Sequence, residues 1–114
     1  MYCFNPTSDM FETADFIVIQ IELAGVNKED INVEVFGGSL EVSGIKRRNG
    51  FTEKDNFHRM ERLFGFFKRV FDLPRAVDRN SINASFNEGL LEIIVPKNNK
   101  NSCFRLTSIE IIEE

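Results

Sequence analysis

Residues 82–97 read "INASFNEGLLEIIVPK". Ile82, Ala84 and Phe86 fall on one side of an extended chain, and Leu91, Ile93 and Val95 do the same a few residues later. Apolar residues at every second position are the mark of a strand with one buried face. Between the two runs lies Asn87-Glu88-Gly89, where glycine supplies the permissive backbone of a tight turn. Pro96 ends the second run, because proline cannot donate to a strand ladder. The stretch is therefore an antiparallel hairpin with a single apolar face.

The same period runs outward through the chain. In "FIVIQIELAG" (16–25), Ile17, Ile19, Ile21 and Leu23 share a face opposite Gln20 and Glu22. "INVEVF" (31–36) sets Ile31, Val33 and Val35 against Asn32 and Glu34, and "SLEVSG" (39–44) pairs Leu40 with Val42. Gly25 breaks the first run, and "NKED" after it is either a short helical turn or a loop. Gly37-Gly38 turns a second hairpin, and Pro74 closes "GFFKRVFDLP" (65–74). A helical period of 3.6 is sustained nowhere. Short alternating strands with glycine turns predict an all-β, immunoglobulin-like antiparallel sandwich with an extended C-terminal tail. Residues 1–8 read as a short N-terminal arm, 9–96 as the sandwich and 97–114 as the extension.

The chain of 114 residues suits one domain, and 42% hydrophobic with 28% charged residues suits a folded globule. No apolar run approaches the roughly 18 residues of a membrane span, and "MYCFNPTSD" lacks the form of a signal peptide. A cytoplasmic location is expected, with Cys3 and Cys103 as free thiols. A net charge of −4 argues against a general nucleic-acid binder. The 12 Phe residues, beside one Tyr and no Trp, fit a β protein with apolar surface in excess of its core.

No motif for a hydrolase, zinc enzyme, phosphate loop or dinucleotide site occurs. His58 is the only histidine, and neither cysteine has zinc-ligand spacing. No catalytic residue, metal or cofactor is expected.

Three features exceed what a plain sandwich needs. Residues 46–64, "KRRNGFTEKDNFHRMERLF", form a long connection of the kind usually kept for function, with a short extended piece at Phe57–Glu61. In "GFFKRVFDLP", Arg69 shares parity with Phe67, Phe71 and Leu73, while Phe66 and Val70 face the other way. Arg69 is either an edge residue whose head reaches water or one half of an ion pair across an interface. The tail "LTSIEIIEE" (106–114) ends the chain on apolar residues beyond a polar linker.

Together these residues resemble the small heat shock proteins, the α-crystallin/Hsp20 family. Ala84, Gly89, Leu90 and Leu91 match the signature hairpin, with Glu88 where asparagine is commoner. "FHRMERLFGFFKRVFDLP" resembles the family's aromatic-His-Arg-x-Glu-Arg … Gly-x-Phe-x-Arg-x-Phe-x-Leu-Pro segment, through Phe57, His58, Arg59, Glu61, Arg62, Gly65, Phe67, Arg69, Phe71, Leu73 and Pro74. "ELAGVNKEDINVEV" resembles its acidic turn between strands, and Ile109-Glu110-Ile111 its C-terminal Ile-x-Ile motif. Four motifs in order cover residues 8 to 112.

The resemblance implies a dimer in which the strand of the long loop, Phe57, His58, Arg59, Met60 and Glu61, pairs with a neighbour's sheet, and it places Arg69 near that contact. It implies that Ile109 and Ile111 anchor the tail in a groove on another copy. Thirteen residue steps from Pro96 reach up to roughly 43–47 Å, enough to arrive there. Larger homo-oligomers would follow. The implied activity is that of an ATP-independent holdase for partly unfolded client proteins, with no cofactor, nucleic acid or membrane. Phe64 and Phe66 are candidates for client or subunit contact. The family usually carries a long apolar N-terminal arm, whereas about eight residues precede the first expected strand here, with Tyr2 and Phe4 their aromatics. The alternative of a p23/CS-type co-chaperone adaptor shares the sandwich but not the tail. A base-stacking β-barrel and an enzyme complete the rival readings.

Overall fold

A computed structural model describes residues 3–48, 56, 58–98 and 107–113. Its ten strands are β1 (Cys3–Phe4), β2 (Ser8–Glu12), β3 (Phe16–Glu22), β4 (Ile31–Phe36), β5 (Ser39–Lys46), β6 (Gly65–Asp72), β7 (Asn83–Asn87), β8 (Leu90–Pro96), β9 (Thr107–Ser108) and β10 (Ile111–Glu113). A single 3-10 turn, Lys28–Asp30, fills the "NKED" segment. The strands form two five-stranded sheets, ordered β1-β6-β5-β4-β9 and β10-β7-β8-β3-β2.

Register follows from parity. Ile17, Ile19 and Ile21 stand opposite Val95, Ile93 and Leu91, and all six are buried. In the other sheet Val35, Leu40 and Phe71 form one inward row, and Ile31, Gly44 and Phe67 another. A one-residue slip would turn each of these sets to water, so the apolar pattern itself holds the register. The two inward faces meet in one core, with Leu23, Val26 and Val77 closing its ends.

Two glycines are dictated by contact. A Cβ on Gly44 would overlap the carbonyl oxygen of Asp30 and lie 2.7 Å from the Phe67 ring, so the 3-10 turn can rest on β5 only if that strand is bare there. Gly89 has φ 77°, and a Cβ on it would lie 2.9 Å from Ala24 Cα. This close approach lets Leu23 N–H donate to Gly89 O at 2.7 Å, tying the β7–β8 turn to the end of β3. Pro96 lacks an N–H, but its carbonyl accepts from Asp78 N–H at 2.8 Å.

The chain's first described residues extend the sandwich. Cys3 and Phe4 pair in parallel with Phe66 and Phe67 on the outer edge of β6, and the rings of Phe4 and Phe67 stand 5.8 Å apart. Cys3 is exposed and free; Cys103 lies outside the described residues.

Candidate functional site: the inter-sheet groove and its tail strand

The outer edges of β4 and β7 flank the same opening between the sheets, and the tail closes both. Thr107 and Ser108 pair antiparallel with Val35 and Glu34 of β4. Ile109 N–H then donates to Val33 O at 2.8 Å. Two residues later the chain has crossed to the other sheet, where Ile111, Ile112 and Glu113 run parallel to Ala84, Ser85 and Phe86 of β7. A strand edge in water leaves its N–H and C=O groups open to any passing chain, so this segment covers one such edge on each sheet.

Side chains follow the same logic. Ile111 is buried and joins the core cluster, and Ile109 packs against that cluster half-buried. Ile112 points outward, 56% exposed. Ala84, opposite Ile111, is small enough to leave the space that Ile111 fills. Polar groups rim the groove: Lys28, Glu29 and Asn32 on one flank, Arg79, Asn80 and Asn83 on the other. Arg79 is buried, and its guanidinium donates to Pro74 O at 3.4 Å. Burying both isoleucines is worth about 3–6 kcal/mol. Ordering the tail costs about 1–2 kcal/mol per residue.

In this single chain the tail lies on its own sandwich, where the sequence reading places it on another copy. Groove and tail belong to one molecule and meet within it.

The second set of expected residues surrounds the dimer contact. His58, Arg59, Met60 and Glu61 are exposed and, as described, form no strand; Phe57 lies outside the described residues. Arg59 and Glu61 pair with each other at 3.3 Å, both well exposed, a contact of little energetic weight. Among the described residues β2 pairs with β3 alone, at one edge of its sheet, and its Met10 and Phe11 are 42% and 46% exposed.

Arg69 sits at the margin of the inward row formed with Val33 and Val42, beyond the reach of β1. It is half-buried, its guanidinium lies 5.4 Å from the Phe71 ring centroid, and among the described residues no carboxylate pairs with it. Phe66 is 45% exposed on the outer face beside Val70 at 53%. Phe64 is half-buried, with Lys46, Arg48 and Arg62 over its ring.

In the signature hairpin, Ala84 and Leu91 are buried, Leu90 is half-buried opposite Glu22, and Glu88 and Gly89 both take positive φ. Three features of these surfaces escaped the sequence reading: β1, the buried Arg79 and the cations on Phe64. Only β1 left a trace, the paired Cys3-Phe4 before Pro6. Among the described residues no group of His, Cys, Asp and Glu could hold a metal, and no helix is long and apolar enough to cross a membrane.

Two sheets over one core, with a C-terminal strand bridging the opening between them, define the α-crystallin type of sandwich. The Hsp20/alpha crystallin family model matches residues 9–111, and the chain belongs to that family. It is similar to small heat shock protein C2 of Rickettsia felis, 34% identical over 92 residues, and spans 81% of its own length but 60% of that protein's. Among solved structures, heat shock protein 16.0 from Schizosaccharomyces pombe superposes with a TM-score of 0.79 at 32% identity, covering 94% of this chain and 99% of that one. A small heat-shock protein from Xylella fastidiosa, described as having a distinct high order structure, superposes at 0.76 and 32% identity over 88% of this chain and 92% of that one.

Proposed function

We propose that this chain is the subunit of an ATP-independent holdase, which binds partly unfolded proteins through apolar surface and limits their aggregation in the cytoplasm. The observation that carries this reading is the seat of the tail. One short segment covers an edge of each sheet and inserts Ile109 and Ile111 at their junction, held by a marginal free energy. A seat of this kind can be vacated and refilled by a sibling's tail, linking copies into a homo-oligomer. The high order structure reported for the Xylella relative is in keeping with this.

The dimer beneath that assembly forms by strand exchange. The segment Phe57–Glu61 adds to the open edge of a neighbour's β2, where Met10 and Phe11 offer apolar contact, and Arg69 lies near the junction. Exposed Phe66 and Val70, together with the vacated groove, supply the surface that clients meet. The activity needs no catalytic residue, cofactor, nucleic acid or membrane.

The test compares the full chain with one ending at residue 105. Sedimentation should give a dimer for the short form and larger species for the full chain. Scattering from a heat-stressed client, without ATP, should fall in the presence of the full chain. A monomer at every concentration overturns the exchange scheme and revives the adaptor reading. Unchanged client scattering at several-fold excess overturns the holdase.

A further inference from the structure

The outer face of β3 is apolar where water favours polar residues. Ile17, Ile19 and Ile21 turn into the core, so Phe16 and Val18, which alternate with them, turn outward. Val18 stands opposite Phe11 of β2 on one side and Ile94 of β8 on the other, and Phe16 stands opposite Pro96. Directly opposed residues share a face, so these side chains form two adjoining rows across three strands. An antiparallel sheet with one side in water ordinarily presents polar residues there. Here Val18 is buried although it lies outside the core cluster, and Phe11 and Phe16 are exposed.

The next row along the strands changes character. Asp9, Gln20 and Glu92 stand side by side, one period from Phe11, Val18 and Ile94, a spacing of about 7 Å. Gln20 Nε2 donates to Glu92 Oε2 at 2.8 Å, and Glu22 continues the acidic side beyond. Among the described residues no cation lies within ion-pair distance of Asp9, Glu22 or Glu92. Lys97, next to Pro96 in the chain, is held by Glu12 at 2.9 Å and by the Thr13 carbonyl at 2.7 Å. The chain as a whole carries a charge of −4, whose field adds to the local one. A strand added at an edge of this sheet lies in its plane, so neither the tail beside β7 nor a strand joined to β2 roofs these side chains.

We propose that this face docks an amphipathic α-helix of a partner chain, with its apolar stripe on Phe11, Phe16, Val18, Ile94 and Pro96 and a bordering line of Lys or Arg over Asp9 and Glu92. A helix is favoured over an extended segment because a sheet face offers no backbone donors or acceptors. A strand lying on it would leave its own backbone unpaired, whereas a helix satisfies its backbone internally. The apolar rows end where the carboxylates begin, which matches a helix whose stripe is bordered by cations. Lysine and arginine stems run along apolar surface and place their charge at such a border. The partner is a partly unfolded protein with a detached helix of this kind; this names a client class and so rests on the holdase reading above.

Fluorescence anisotropy of the full chain with labelled helical peptides of about 18 residues, five turns, tests this. Two peptides share one leucine stripe, bordered by Lys in the first and by Glu in the second; a third scrambles the first. The Lys peptide should bind roughly tenfold more tightly than the Glu peptide, and the scrambled one should not saturate. Phe16→Ser and Ile94→Thr should each weaken the Lys peptide by roughly fivefold or more. Asp9→Asn with Glu92→Gln should bring the Lys and Glu peptides to nearly equal affinity, and Phe66→Ser, on the other sheet, should leave binding unchanged. If a variant folds poorly, a nitroxide on the Lys peptide serves with the unmodified protein: it should broaden the methyl signals of Val18 and Ile94 before those of Ile45, which lies on the other sheet. Equal binding of the scrambled peptide, or as large a loss in Phe66→Ser, overturns the site. Absence of saturable binding while client scattering is still suppressed also overturns it and leaves the holdase standing. Binding of the expected pattern without suppression supports the site and removes the holdase.

Discussion

Glu88 and Gly89 turn the β7–β8 hairpin with φ of 52° and 77°. Left-handed backbone is free for glycine but costs other L-residues about 1–2 kcal/mol, less for asparagine, whose short amide tolerates it. Glu88→Asn should therefore stabilise the protein by about 1 kcal/mol, seen as a higher urea midpoint with unchanged slope. Gly44→Ala should do the reverse. Its methyl group would meet the Asp30 carbonyl and the Phe67 ring, and displacing the 3-10 turn should cost about 1–3 kcal/mol in the same measurement. The two glycines differ in how plainly the sequence speaks for them. Gly89 follows an apolar-alternating strand and precedes another, so local pattern announces its turn. Gly44 lies inside a strand, and its reason is a contact between segments distant in the chain, which no local period records.

Among the elements, β3, β4, β5, β7 and β8 were legible because alternation depends only on neighbours along the chain. β1 was not, since two residues cannot display a period and parallel pairing to β6 is a tertiary event. The tail shows both sides of this limit. Parity puts Ile109 and Ile111 on one face, and here both pack against the chain's own core cluster, but a face does not name its host. Ile111→Ala should remove most of the tail's hold, costing at most the free energy of docking rather than the full 2–5 kcal/mol of a core deletion. Hydrogen exchange at the β4 and β7 edges should quicken accordingly. Ile112→Ala, at an outward-facing position, should stay within about 0.5 kcal/mol and leave that exchange unaltered.

At the scale of the whole molecule, the tail fills its own groove; in the assembly proposed above, a sibling's tail would fill it through the same contacts. What differs is concentration: filling from within is independent of it, and filling between copies rises with it. Dilution should therefore shift mass from large species towards small ones, with little change in strand content by circular dichroism. A mass that does not respond to dilution over three decades, with the tail intact, would count against exchange. The sequence could not disclose this balance, because Ile109-Glu110-Ile111 is read identically by either groove.

Because the tail grips both leaves within seven residues, it behaves as a clasp rather than a zipper. Peeling it from β4 lengthens the leash on the β7 half, so freeing either half weakens the other. Opening should then be all-or-none, with the amide protons of Ile109 and Ile111 sharing a single protection factor. A vacant groove would appear whole, already wide enough to welcome a stranger, instead of fraying open by degrees.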